Sequence, residues 1–312
     1  MPSPTDSGPV SSVPLTGNNE INSLLWGVKW GNVAGTSATV TYSFPGLGSF
    51  WSIDSTLGYG PTTGSGEPWG AFYSPLNSAQ QTAAQSALQQ WANVAAISFV
   101  ASQDDASVVG DIRFAWTDEM PPTAQAQAYY PGPSLPKGGD IWLNSSASGW
   151  GDFAPGTYGY LTLLHEIGHS VGLKHPFEAA GSSSSTLSSN DDVTRNTIMS
   201  YSAYPGGVGV SWNFNPTTPM ALDIQAAQYL YGPNNAYHAG DDVYTYFQGQ
   251  NYFETIWDAG GNDTIVYSGS DQAEIDLRPG AWSNLGNTLF TTDLTLSSDY
   301  TVAIYKNVII EN

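Results

Sequence analysis

The sequence predicts an α+β fold built in two parts. Three observations carry that expectation. Three stretches repeat apolar residues at helical spacing, and short strand-like runs lie between them. After Tyr231 nearly every signal is turn or strand, with Asp and Gly gathered in the turns. A boundary is therefore placed near residue 233. Residues 1–20 read as a flexible leader, 21–232 as a mixed domain with a twisted, mostly antiparallel or mixed sheet, and 233–312 as a small all-β part.

Taken in order, the Pro-, Ser- and Thr-rich start from Met1 to Gly17 has neither the basic opening nor the apolar stretch of a signal peptide. Ser37 to Phe44 (SATVTYSF) alternates as a strand does, and 55–70 is Gly- and Pro-rich loop. Asn77 to Ala95 is an amphipathic helix with Ala84, Leu88, Trp91 and Val94 on its core face. Short strands follow at Ile97 to Ala101, Asp111 to Ala115 and Asp140 to Asn144. Tyr158 to Leu173 is a second helix. Pro219 to Leu230 is a third, with its proline at the first turn.

Composition narrows the functions. The net charge is −20, from 27 acids against 7 bases, so nucleic acid and anionic membrane surfaces are excluded as partners. With no cysteine, disulfides and thiolate metal sites are excluded too.

Of four histidines, three fall in HEIGHSVGLKH, His165 to His175. Positions 165 and 169 are one helical turn apart and project from one face. Gly172 can end the helix in a left-handed conformation, and Pro176 prevents it from resuming. His175 can then supply a third nitrogen. Three neutral imidazoles suit one catalytic zinc, with a fourth position for water. Glu166 is then not needed as a ligand and is placed to act as general base on that water. A purely structural zinc site would leave Glu166 without a purpose.

These residues resemble the serralysins, a bacterial branch of the metzincin metallopeptidases. The resemblance runs through TLLHEIGHSVGLKHP (Thr162 to Pro176), the Met-turn NTIMSYS (Asn196 to Ser202), GGDIWLN (Gly138 to Asn144), TPMALDIQAAQYLYG (Thr218 to Gly232) and DAGGNDTI (Asp258 to Ile265). It implies a metzincin-type catalytic domain with a zinc cleft and a secreted, extracellular endopeptidase. Met199 becomes a hydrophobic floor under the metal. Tyr201 becomes a further zinc ligand that swings away to bond the oxyanion. Asp140, Ile141, Trp142, Leu143 and Asn144 become the edge strand along which substrate adds. Protein or peptide substrates are implied, with a proteinaceous inhibitor as a further partner and a monomer as the expected state.

DAGGNDT, Asp258 to Thr264, packs two acids and two glycines into one turn, a pattern suited to Ca²⁺. It also matches the glycine-rich aspartate turns of β-roll repeats, present here as a single unit. By resemblance, one or more structural calcium ions are expected. One would use Asp258, Asp263 and Asp242 with the carbonyls of Gly260, His238 and Gly240. A second would share Asp263 with the Gly261 carbonyl and Glu311. Asp242 departs from the family's usual threonine. The family also continues into further repeats and an export signal where this chain reaches Asn312. The alternative function is a non-catalytic, calcium-stabilised adhesion module with a vestigial zinc site. Glu166 and Tyr201 together favour the enzyme.

Overall fold

A computed structural model describes residues 1–312. In chain order the elements are β1 (Val10–Ser12), α1 (Asn19–Asn22), β2 (Val28–Trp30), β3 (Ala38–Ser43), β4 (Ser74–Pro75), α2 (Ser78–Val94), β5 (Ile97–Ala101), β6 (Ile112–Thr117), β7 (Ala126–Ala128), β8 (Ile141–Asn144) and α3 (Tyr158–Ser170). Then come α4 (Ala221–Tyr231), β9 (Val243–Phe247), β10 (Glu254–Ile256), β11 (Thr264–Ser268), β12 (Trp282–Phe290) and β13 (Ser297–Ile304). No helix is long and apolar enough to cross a membrane.

The main sheet runs β5-β3-β6-β8-β7, with β4 added on β6. The class is α+β and this sheet is mixed, as expected, with the parallel pairings in the majority. β5, β3, β6 and β8 are mutually parallel, and only β7 and β4 run antiparallel to their neighbours. The connection from β3 to β5 passes through α2, and a helical crossover delivers a parallel partner.

α2 starts on a reciprocal capping box. The Asn77 side chain accepts from the Gln80 N–H, and Gln80 Oε1 accepts from the Asn77 N–H. Its fully buried Trp91 donates through Nε1 to the Leu164 carbonyl at 3.0 Å, which locks α2 onto α3. α4 begins later than predicted. Pro219 lies outside it, before the cap residue Met220.

The leader reading of residues 1–20 is also corrected. β1 pairs antiparallel with β2, the Val109 N–H donates to the Pro2 carbonyl, and Val13 is buried. Polar composition hid a three-residue strand and one apolar anchor. One continuous core of 50 buried residues extends from Val13 to Ile310, so packing does not break at residue 233.

Beyond α4 the chain forms two small sheets. β9 and β11 pair parallel, with Thr264 opposite Val243, while β10, β13 and β12 form the other sheet. The parallel pairing sets the turns entering β9 and β11 side by side.

Candidate metal centre

α3 is buried along its length from Gly159 to Ser170, so the ends of its histidine side chains are taken out of bulk water. Gly172, at φ +107°, turns the chain back toward the helix as expected. A side chain there would strike the Val28 carbonyl at 2.5 Å, so the turn and its packing both require glycine. The reversal carries His175 to the other two rings. Its Nε2 lies 3.2 Å from that of His165 and 3.0 Å from that of His169.

The opposite ring nitrogens fix the tautomers of His165 and His169. His165 Nδ1 faces the Ile198 carbonyl at 2.8 Å, and His169 Nδ1 faces the Leu173 carbonyl at 2.7 Å. His175 Nδ1 lies 3.1 Å from a Glu178 carboxylate oxygen. The Nδ1 atoms of His165 and His169 therefore carry the proton and leave their Nε2 lone pairs facing His175 Nε2, whereas His175 Nδ1 lies near Glu178 without a hydrogen bond. Lone pairs so close repel unless a cation lies among them. Burial first, then in His169 and His175 the neighbouring imidazoles, lowers their pKa values, to about 4 for His165 and about 3 for His175. The donor set is neutral nitrogen, which fits zinc.

Tyr201 sends its phenol oxygen to 2.8 Å from His175 Nε2 while remaining 47% exposed. It stands at the edge of the nitrogen cluster, its ring packed against His165, His175 and Phe177. Burial, followed by the charges of Glu166, Glu178 and Tyr158, keeps this phenol strongly protonated. Glu166 is only 6% exposed, and its Oε2 has no partner. Burial lifts its pKa to about 8, opposed by a hydrogen bond from the backbone of Ala128.

Met199 is fully buried beneath the helix. A Cβ at Gly168 would come within 2.5 Å of its sulfur, so the absence of a side chain there lets the Met-turn reach α3. The turn is anchored from behind by Asp223 on α4. That buried carboxylate accepts from the Thr197 hydroxyl at 2.5 Å, the Ile198 N–H at 2.8 Å and the Met220 N–H at 2.9 Å. Asp223 lies within the family-like segment Thr218 to Gly232, but the sequence alone gives it no role. Nor does it give one to Lys174, whose buried ammonium donates to the carbonyls of Ser23, Ser185 and Glu178. Those bonds hold the loop that carries His175. A lysine beside a metal-binding histidine normally reads as surface, so the sequence offers no signal for it.

The assignment of Asp140 to Asn144 as the substrate strand is corrected. β8 is buried at every position and is paired on both sides, by β6 and β7. It has no free edge on which a peptide could add. Asp140 instead accepts from Tyr59 at 2.5 Å in a buried aromatic cluster, and burial raises its pKa to about 8. The sheet ends at β7, which packs on α3. The cleft beside the histidines has a volume of about 310 Å³ and is lined by Gln125 and Ala126 from this edge, by Leu161 and Thr162 from α3, and by Val208 and Val210.

The second predicted cluster lies where the two turns meet. Gly260 donates its N–H to Asp258 Oδ1 at 2.7 Å, and the Asp242 N–H donates to Asp263 Oδ1 at 2.8 Å. The Asp263 N–H donates to Glu311 at 2.8 Å, while Asp263 Oδ2 is buried without a partner. Gly261 lies so near the Gly240 carbonyl that a Cβ would sit 2.0 Å from it. His238 takes φ +50°, and its side chain contacts Asp242 at 3.0 Å. Ligand atoms of His238, Asp242 and Asp258 lie within 4.8 Å of one another.

A three-histidine cluster on a helix and its return loop, floored by a methionine turn, defines the metzincin class. Residues 73–192 match the family model described as matrixin, and residues 221–312 match that of the peptidase M10 serralysin C terminal. Serralysin of Proteus mirabilis is 33% identical over 320 residues, covering 92% of this chain and 59% of that protein. Serralysin C of Dickeya chrysanthemi is 32% identical over 281 residues, covering 83% of this chain and 55% of the relative. Serralysin of Photorhabdus luminescens is 32% identical over 241 residues, covering 70% and 49%. This chain belongs to the serralysin-type metzincins, and it spans about half the length of these relatives.

Proposed function

We propose that this chain carries the catalytic machinery of a secreted zinc-dependent endopeptidase. One observation carries the reading. His175 Nε2 lies 3.2 Å and 3.0 Å from the Nε2 atoms of His165 and His169, beside a buried Glu166 oxygen that has no partner. His165, His169 and His175 would hold the zinc, with Tyr201 as an additional ligand at rest. When bound, zinc acts as a Lewis acid and brings the pKa of water toward neutrality.

Glu166 takes a proton from the attacking water as its oxygen bonds to the peptide carbonyl carbon. It then passes that proton to the nitrogen as the C–N bond breaks. The Tyr201 hydroxyl, swung from His175, donates to the developing oxyanion. The exposed edge of β7 lines the cleft, so a substrate backbone adds there as an antiparallel strand. Calcium at Asp242, Asp258 and Asp263, with the carbonyls of His238, Gly240 and Gly260, would brace the turns behind the domain. A second ion would use Asp263, the Gly261 carbonyl and Glu311.

Casein digestion tests the enzyme reading. Activity should disappear with a zinc chelator and return with added zinc. Glu166→Ala should keep its zinc and lose hydrolysis, by at least about 10²-fold for a removed general base. Full activity in that variant, or digestion indifferent to chelation, would overturn the proposal.

A further inference from the structure

A second cavity shares no lining residue with the zinc cleft. Its volume is about 530 Å³, and it lies between α2 and the strands that follow α4. The histidine centre does not account for it, and the acidic turns only border it, through His238 and through Tyr244, whose hydroxyl donates to Asp258 at 2.6 Å.

One wall is a polar stripe on α2. Ser86, Gln90 and Asn93 follow helical spacing, so they present one face to the cavity. The other wall is aromatic, with Tyr237, Tyr252 and Trp257 among its residues. The Trp257 ring is pinned by its Nε1 donating to the Asn234 carbonyl at 3.2 Å, and Tyr252 stands edge-on to Tyr246 at 4.8 Å. These rings are fixed surfaces, not loose side chains.

Charge decides what such a cavity takes. No lysine or arginine lines it, and the only carboxylate in the lining is Glu254. Glu254 accepts from the Tyr246 hydroxyl at 2.8 Å, and that phenol is itself buried. Burial raises the Glu254 pKa, the Tyr246 and Thr217 hydroxyls oppose that rise by favouring the charged form, and no lysine or arginine faces the carboxylate. The Tyr237 phenol lies in the combined field of Glu254, Asp242 and Asp258. Calcium at the turns would neutralise the last two and leave Glu254. An anionic ligand is therefore repelled. A carboxylate beside several aromatic faces attracts a positive group through both its charge and the ring quadrupoles.

We infer that this cavity binds an organic cation, an ammonium or guanidinium group such as a lysine or arginine side chain carries, with Glu254 as counter-charge and Tyr237, Tyr252 and Trp257 as ring walls. The inference does not depend on the peptidase reading, because the cavity and cleft are separately built.

The test is an NMR titration of the calcium-loaded protein, following the Trp257 indole. Tetramethylammonium and N-acetyl-arginine amide serve as probes. Saturable shifts are expected with both, and Glu254→Gln should weaken binding about tenfold. Tyr237→Leu should weaken it similarly while Tyr237→Phe, which keeps the ring, should not. That pair also decides the matter if the Glu254 variant does not fold. Three results would overturn the inference. These are no saturable shift with either cation, unchanged affinity in Glu254→Gln or Tyr237→Leu, and a response to neutral cellotetraose alone.

Discussion

The histidine centre and the aspartate turns are both suited to cations, but they are prepared in different ways. His165 and His169 are 5–7% exposed on a buried helix with each ring oriented by a backbone carbonyl on its far side, and His175 is brought to them by the return loop. Neutral imidazoles can be brought together at modest cost because they carry no like charge. The turns gather Asp242, Asp258, Asp263 and Glu311, whose ionised forms repel strongly once water is reduced. Backbone N–H groups offset part of that repulsion, but Asp263 Oδ2 remains buried and unpartnered. The histidine donors carry no like charge to overcome, whereas the turns hold several carboxylates close together, one of them with an unpartnered buried oxygen.

The comparison is sharpened most by Tyr201→Phe. This change leaves the three imidazoles untouched and removes only the hydroxyl near His175. A loss of about 10²–10³ in kcat is expected, with zinc content unchanged, as for one lost oxyanion donor. Retained kcat would confine Tyr201 to a packing role.

Calcium removal probes the other side. With calcium at a hundred times its Kd, binding stabilises the fold by about 2.7 kcal/mol, so a calcium-selective chelator should lower Tm by roughly 5 °C or more. Calorimetry checks this, and Asp258→Asn should reduce the difference between chelated and loaded protein. An unchanged Tm would place the turns with ordinary Asp-Gly loops that need no ion.

The smallest expected effect concerns the support behind the histidines. Asp223→Asn keeps the side chain's shape and one acceptor, so urea unfolding should show a loss of about 1 kcal/mol. The sign of its pH dependence follows from burial, which raises the Asp223 pKa from 3.8 to about 7. The folded protein thus holds this proton more tightly than the unfolded chain. That contribution is present at acid pH and fades as pH rises through about 7. The variant should flatten this part of the stability profile.

The zinc motif was legible because helix periodicity and a single glycine turn fix where three side chains go. Their oxygen partners were not, since the Ile198 and Leu173 carbonyls belong to a backbone that every sequence shares. The sheet edge was misplaced for a related reason. Ile141–Asn144 has strong strand character because it is buried on both faces, which is a mark of an interior strand. The true edge, Ala126–Ala128, is three residues long and carries no β-branched side chain, so nothing local distinguishes it from loop. The turns entering β9 and β11 were legible as Asp- and Gly-rich turns, but the parallel pairing that sets them side by side joins residues 21 apart and has no local signal. The docked start of the chain was hidden similarly, because β1 gains its order from β2 rather than from its own composition.

The account turns on whether three imidazoles share one zinc. Zinc K-edge anomalous diffraction from crystals of the purified protein tests this directly. The account predicts a single strong peak about 2.0–2.1 Å from the Nε2 atoms of His165, His169 and His175. No peak among those nitrogens, or a principal zinc peak at the aspartate turns, would contradict it.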